Sequence, residues 1–390
     1  MNVLMFTQAL EIGGLERMVL GLSDQLNHAR GWSCQVLAFD QRAGRDEETL
    51  IPEFRRRGVP VRCFKKPPGV SVDVMRQLRA VARAGDVSIV HTHDLAALIY
   101  ASLLRLTGLV RYRIVHTQHS FIHLDTHRRY RAMERIFSRL AHTLVAVSEE
   151  VKATYGALGF PSQCIHLIEN AATFAAAPPL VRPDRLRERD PLIAELPVLC
   201  PFRTDRWILY LARLYPRKGQ DHALSLWGRL PPEWRARSVV VFVGPESSPG
   251  ERTRLDALRS AAPDPARLIF AGPSQEPQRW LRVADVYLSC SESEGTPLGP
   301  LEAVGSGLPA LLSSIPGHAH LRRHSQQYPL NEPAVGADTL AAMLQSAENE
   351  AFSVFNETWN RAAALRASYA QERMAGRYRR IYERTAGGTS

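Results

Sequence analysis

Short apolar runs recur along this chain with helix-length stretches between them, and the pattern occurs twice. In the first half the runs fall at 3–6, 34–39, 87–90, 113–115, 143–147 and 165–168; in the second they fall at 208–211, 239–243, 268–270, 286–289 and 310–312. Runs this short and this continuously apolar fit strands buried on both faces, as in a parallel sheet, with a crossover helix after each. The pattern predicts an α/β protein with two Rossmann-like parallel-sheet domains. At 390 residues and 45% hydrophobic content the chain can fill two cores of ordinary domain size. Between the halves, Pro178, Pro179, Pro183, Pro191, Pro197 and Pro201 read as a linker with room for one short helix. The expected division is a first domain at 1–175, a linker at 176–206, a second domain at 207–365 and a closing segment at 366–390. Ligands of open parallel sheets bind beyond the carboxyl ends of the strands, so two such domains facing one another are expected to line a central cleft with both sets of loops.

The densest chemistry lies in residues 291–309, SESEGTPLGPLEAVGSGLP, which sit between two apolar runs and so supply the crossover helix of a βαβ unit. Either Thr296 caps this helix with Pro297 in the first position, or Gly299 caps it with Pro300 there, and it stops near Gly305 or Gly307. A helix start offers free amides and the positive end of a dipole, where a diphosphate is stabilised without a metal. Pro297 and Pro300 bring no amide, which leaves those of Leu298 and Gly299. Glu294 and Glu302 flank the start, and carboxylates accept hydrogen bonds from sugar hydroxyls.

Upstream, the run at 208–211 opens into a loop with Arg213, Lys218 and Gly219. A leaving nucleoside diphosphate gains negative charge as its glycosidic bond breaks, and two fixed cations can stabilise that charge where other enzymes use magnesium. The chain has 45 arginines and only four lysines, so background usage does not supply a lysine at 218. Together the two windows resemble the signatures of the retaining, family-four-type glycosyltransferases of the GT-B fold. The first matches E-G-x-P-L-x-x-L-E-A followed by G-L-P; the second matches G-R-L-x-x-x-K-G, with Ala212 in place of the first glycine. The resemblance implies that Glu294 contacts the donor sugar, that Glu302 contacts the ribose, and that Arg213 and Lys218 stabilise the leaving diphosphate. It spans nearly the whole chain. Residues 359–381 put Met374, Tyr378 and Ile381 on one helical stripe and look like the family's closing helix, which returns to the first domain.

The first-domain loops also carry the resemblance. Gly13 and Gly14 open a G-G-x-E-R element whose backbone can approach a phosphate closely, and Glu16 either complements the helix dipole or serves the ligand. Histidines gather at two run ends, His91 with His93 and Asp94, and His116 with His119. His91 and His93 share a strand face, yet no third cluster at metal spacing joins them, and no metal is expected. The family places a histidine beside the donor sugar, and His119 matches it better than His116. Val145 to Ser148 and Asn170-Ala171 look like the family's V-S and N-G-V elements, the latter with Ala171 for glycine. In the second domain Gly244 and Gly272 end apolar runs in tight turns that can read the base through backbone groups. The family's G-x-G-P is altered at Gly244, so the base is left open.

Charge and cysteine bound the rest. Five scattered cysteines without a C-x-x-C point to neither a disulfide framework nor a structural zinc. No apolar run reaches the length of a membrane span and no basic leader precedes the first run, so a cytoplasmic protein is expected. The net charge of +10 fits an anionic membrane surface better than nucleic acid, because no aromatic-basic platform or DNA-reading motif appears. Residues 127–140 place Tyr130, Met133, Phe137 and Leu140 on one stripe with Arg128, Arg131, Arg135 and Arg139 elsewhere, either as a solvated helix on the first sheet or as a face that touches lipid.

The expected protein is a metal-independent, retaining transferase with no cofactor, a monomer or weak dimer, placed in the cytoplasm or on the inner face of the membrane. It moves a hexose from a nucleotide sugar, UDP favoured over GDP, to a membrane-held saccharide of the cell envelope. Donor binding is assigned to Gly13, Gly14, Arg213, Lys218, Gly244, Gly272, Glu294, Leu298, Gly299 and Glu302, and catalysis to His119, Glu294, Arg213 and Lys218. A nucleotide-sugar epimerase or a non-catalytic nucleotide-sugar-binding protein are the alternatives.

Overall fold

The computed structural model describes residues 1–40, 49–121, 128–175, 180–349 and 352–387. They form two compact units, one of Met1–Ala171 with Tyr369–Ser390, the other of Ala172–Ser368.

The first unit is built on a parallel sheet of β1 (Asn2–Thr7), β2 (Ser33–Ala38), β3 (Val61–Cys63), β4 (Ile89–Thr92), β5 (Arg113–Gln118), β6 (Thr143–Ala146) and β7 (Ile165–Leu167), in the order β3-β2-β1-β4-β5-β6-β7. Alternation along β1 explains its continuous apolar run. Val3 and Met5 join one core with Met18, Leu22, Met374 and Tyr378, while Leu4 and Phe6 join another with Phe39, Leu78 and Leu98. The second unit has β8 (Arg206–Leu211), β9 (Ser238–Val243), β10 (Leu268–Gly272), β11 (Val286–Ser289), β12 (Ala310–Ser313) and β13 (Gln326–Tyr328), in the order β10-β9-β8-β11-β12-β13, again all parallel. Each run read from the sequence is a strand. The two strands without a run, β3 and β13, are three residues long and lie at sheet edges, where one side meets solvent and apolar content is not required. In each sheet the chain order reverses once, between β1 and β4 and between β8 and β11.

The expected linker at 176–206 needs correction. Pro178 and Pro179 lie outside the described residues, but from Arg182 the chain forms the helix Arg182–Glu195 and the 3₁₀ segment Pro197–Phe202, both within the second unit. Charge pairing, not apolar periodicity, holds that helix. Arg185 donates to Asp285 at 2.7 Å and Arg189 at 2.6 Å, with Arg206 at 3.3 Å and the Trp207 amide at 2.8 Å on the same carboxylate. All are buried, and the Arg189 guanidinium lies over the Trp207 ring at 4.4 Å. Burial opposes ionisation of Asp285, yet Arg189, Arg185 and Arg206 together hold its carboxyl below the usual range.

Two further differences concern helices. The expected continuous helix at 359–381 is divided into Phe352–Arg361, Ala363–Ser368 and Gln371–Gly387, and only the last belongs to the first unit, whose boundary falls at Tyr369. Its Met374, Tyr378 and Ile381 enter the first core as one stripe. The stretch expected at 127–140 is the helix Arg128–Ser138; His127 lies outside the described residues. Phe137 packs on the core of Leu4 and Phe6, Arg129, Arg131, Arg135 and Arg139 are exposed, and Ile136 is 58% exposed.

Candidate active site

In the second unit the loops after β8 and β11 are tied together. The Tyr210 hydroxyl donates to the Lys218 carbonyl and accepts from the Cys290 amide at 2.8 Å, and the Glu292 amide donates to the Arg217 carbonyl at 3.0 Å. Gly219, which follows Lys218, has φ +69° and packs so closely on the Cys290 carbonyl that a Cβ would collide with it. This junction carries Lys218 to Glu294. The ammonium donates to both carboxylate oxygens at 2.7 Å, and the Ser291 hydroxyl donates to Oε1 at 2.7 Å. The Glu294 side chain is 9% exposed and that of Lys218 25%. Burial works against its charge, but Lys218 and the Ser291 hydroxyl hold the Glu294 carboxyl below the usual carboxylate range.

Neither expected cap starts the helix after Glu294. It runs Leu298–Gly305 with Pro297 in the capping position, so Leu298 and Gly299 are its first two residues and Pro300 occupies the third, where no amide is needed for an intrahelical bond. Glu302 is buried and accepts from the Thr173 amide at 3.2 Å. Arg213 has an exposed side chain and a carbonyl that accepts from Gln220 at 2.9 Å. Gly244, beyond β9, donates its amide to the carbonyl of Gly272, the end of β10, at 2.8 Å. The structure therefore brings Lys218 and Glu294 into contact, sets Arg213, Leu298 and Gly299 in the same two loops, and places the Gly244 and Gly272 turns at the next two strand ends. Glu302 lies within the helix that follows, buried.

Gly13 and Gly14 belong to the first unit, at the start of the helix Gly14–His28 after β1. His119 follows β5 in the same unit, with Nε2 3.4 Å from Nδ1 of His93. Alternation puts His91 and His93 on one face of β4, ring centroids 4.0 Å apart, and Thr92 on the other, bonded to His116 at 2.9 Å. His91 is fully engaged: Tyr382 and Thr117 each lie 2.7 Å from a ring nitrogen, and Tyr378 is 3.0 Å from Thr117. Burial, reinforced by the neighbouring His116 ring, pushes His119 down to about 3, so it is neutral at physiological pH. Asp94 is a helix cap, accepting from the Ala97 and Gln8 amides at 2.8 Å each. Among the described residues no three His, Cys, Asp or Glu side chains converge as metal ligands would.

Sequence reasoning missed three contributors. Ser291 orients Glu294; Gly317 lies against the Glu294 backbone; and His318, buried with Nδ1 2.8 Å from the Ser313 carbonyl, adds to the electrostatic surroundings of Glu294. Ser291 opens the segment 291–309, but a serine before a glutamate carries no periodic signal. The other two come from the turn after β12 and are brought in by the fold alone.

Residues 12–173 match the profile of Glycosyltransferase Family 4, and residues 200–364 match that of the glycosyl transferases group 1. A GDP-mannose:cellobiosyl-diphosphopolyprenol alpha-mannosyltransferase of Xanthomonas oryzae is 23% identical over 381 residues, covering 94% of this chain and 92% of its own length. The Anabaena protein HepE, solved with UDP and glucose, superposes with TM-score 0.78 at 15% identity, covering 98% of this chain and 99% of that one. WaaG, a glycosyltransferase involved in lipopolysaccharide biosynthesis, superposes with TM-score 0.66 at 13% identity over 100% of both chains.

Proposed function

Because the chain belongs to the GT-B glycosyltransferases, a Glycosyltransferase Family 4 domain followed by a group 1 domain, we propose that it moves a hexose from a nucleotide sugar to a membrane-held envelope saccharide with retention at the anomeric carbon. One observation carries this reading: the Lys218–Glu294 ion pair stands where chain order reverses in the second sheet, between the carboxyl ends of β8 and β11, and that is where doubly wound sheets bind ligands. A cation for phosphate and a carboxylate for hydroxyls, held against each other, are the two recognition elements a nucleotide sugar requires. On donor binding Lys218 turns to the diphosphate with Arg213, and Glu294 accepts from the sugar hydroxyls. The amides of Leu298 and Gly299 face the diphosphate, Glu302 the ribose, and the Gly244 and Gly272 turns the base. In the first unit, Gly13, Gly14 and His119 are the proposed ligand contacts, and a neutral His119 imidazole can donate or accept a hydrogen bond without bringing charge. Chemically, the bond from the anomeric carbon to the diphosphate oxygen breaks, the acceptor oxygen bonds to that carbon on the same face, and the acceptor proton passes to the leaving phosphate.

Two relatives frame the donor and acceptor: the Xanthomonas enzyme is named for GDP-mannose and a diphosphopolyprenol saccharide, and HepE was solved with UDP and glucose. The test is transfer from UDP- and GDP-hexoses to a polyprenol-linked saccharide, with the anomeric configuration of the product read by NMR. A product of retained configuration is the expected result; an inverted product, or none with any donor, would overturn the reading.

Two expectations accompany it. EDTA leaves transfer at its full rate, because protein cations take the charge that a magnesium ion takes elsewhere; a loss reversed by manganese would show a metal at the diphosphate instead. The chain also docks on anionic lipid through the first unit, where Arg129, Arg131 and Arg135 of one helix and Arg139 just after it are exposed, in a chain with net charge +10. Co-sedimentation with phosphatidylglycerol vesicles should fall steeply from low to high salt, and further in R129E/R131E. Equal sedimentation with neutral and anionic vesicles would favour a soluble acceptor.

A further inference from the structure

The amino ends of β5, β6 and β7 hold a charged recess, at the opposite end of the first sheet from His93 and His119. It is a cleft of about 270 Å³ lined by Arg113, His142, Thr143, His166, Arg384 and Thr385, together with Ile381. The six residues of β5 separate it from the histidine cluster by ~17–20 Å, so the two cannot share one small ligand.

Among the described residues the lining has no carboxylate. His142 and His166 themselves have cations as their charged neighbours, Arg105 and Arg113 for the one and Arg384 and Lys152 for the other. Donors are plentiful. Nδ1 of His142 accepts from the Ile114 amide at 3.0 Å, which fixes the tautomer and leaves Nε2–H as a donor. The Thr143 and Thr385 hydroxyls are 2.7 Å apart, so at most one of them donates to the other. The Arg384 guanidinium fork, on the helix Gln371–Gly387, completes the set and matches the geometry of phosphate oxygens, while Arg113 of β5, which has a partner of its own, adds positive charge. The volume lies just under the roughly 300–1,000 Å³ typical of drug-sized ligands, which suits a small anion.

We propose that this recess is a binding site for a small soluble phosphate, inorganic phosphate or a phosphate monoester, separate from the nucleotide-sugar site. Its ligand is held by the same helix that supports the histidine cluster, where Tyr378 bonds Thr117 and Tyr382 bonds His91. An anion on Arg384 and Thr385 therefore loads the element beneath that cluster.

Calorimetric titration of the full chain with inorganic phosphate and with glucose 6-phosphate tests the site, alongside R384Q and H166Q, whose melting temperatures establish that they fold. Wild type and K218A should bind one equivalent of phosphate, while R384Q and H166Q weaken it by about tenfold or more. In wild type the His142 and His166 ring resonances should move on titration. Binding lost in K218A and kept in R384Q would put the phosphate at the second unit's loops and overturn the proposal, as would no saturable binding. Capture of vesicles containing phosphatidic acid with no response to free phosphate would also overturn it, making the recess a headgroup site.

Discussion

Replacing Lys218 with alanine is expected to abolish measurable transfer while the protein still folds. The ammonium makes two 2.7 Å charge-assisted bonds to Glu294, and on the proposed reading it exchanges them for the donor diphosphate. Loss of such a contact costs about 1.5–3 kcal/mol of donor binding. Loss of a cation aimed at developing charge lowers turnover by roughly 10²–10³ more. The Lys218 side chain is 25% exposed, so the variant should melt within a few degrees of wild type. K218R should not restore activity, because a planar fork does not reproduce a compact point charge on a flexible stem. Steady-state kinetics with a saturating donor separate the two effects. An unchanged kcat in K218A would remove Lys218 from the chemistry.

The largest effect on stability is expected from D285A. Asp285 is the shared partner of Arg185, Arg189 and Arg206 and accepts from the Trp207 amide, so its removal leaves buried guanidiniums without a counter-charge. Breaking a buried pair in this way costs about 3–5 kcal/mol, a large share of the ~5–15 kcal/mol that holds a typical domain. The helix Arg182–Glu195 should detach first, and proteolysis should cut in it. The pH dependence has a definite sign. The folded-state pKa of Asp285 is below the unfolded value, so its contribution is present above the unfolded carboxylate pKa of ~3.9 and is lost as pH falls through the folded value. Chemical denaturation of wild type should weaken through that acid window more steeply than that of D285N. Equal stability of D285A and wild type would show that the guanidiniums find other partners.

Asp285 also shows where reading the sequence runs out. The central strands were legible because burial on both faces forces apolar runs, and the βαβ crossovers followed from their spacing. The helix that Asp285 anchors was not, since Arg185 and Arg189 lie 100 and 96 positions from Asp285 and look like surface charges until the fold joins them. Edge strands β3 and β13 were lost for the converse reason, as a half-solvated three-residue strand needs no apolar run. At the candidate site, Arg213, Lys218, Glu294 and Glu302 were readable as residue types in a motif frame. Their geometry was not: nothing in the two windows states that Lys218 and Glu294 touch, that Ser291 braces the carboxylate, or that Pro297 rather than Thr296 or Gly299 precedes the helix.

The central claim is that the Lys218–Glu294 pair at the β8–β11 reversal receives a nucleoside diphosphate sugar. It is tested most directly by thermal melting of wild type, K218A and E294A with UDP-glucose, UDP-galactose, GDP-mannose, ADP-glucose and dTDP-glucose, since a ligand that binds only the folded state stabilises it by about 2.7 kcal/mol at a hundredfold excess over Kd. The account predicts that at least one of these donors raises the wild-type melting temperature and that K218A and E294A lose that rise, whereas any rise given by inorganic phosphate is the same in all three proteins. A panel in which no nucleotide sugar stabilises the wild type, or in which the same donor stabilises all three proteins equally, would contradict it.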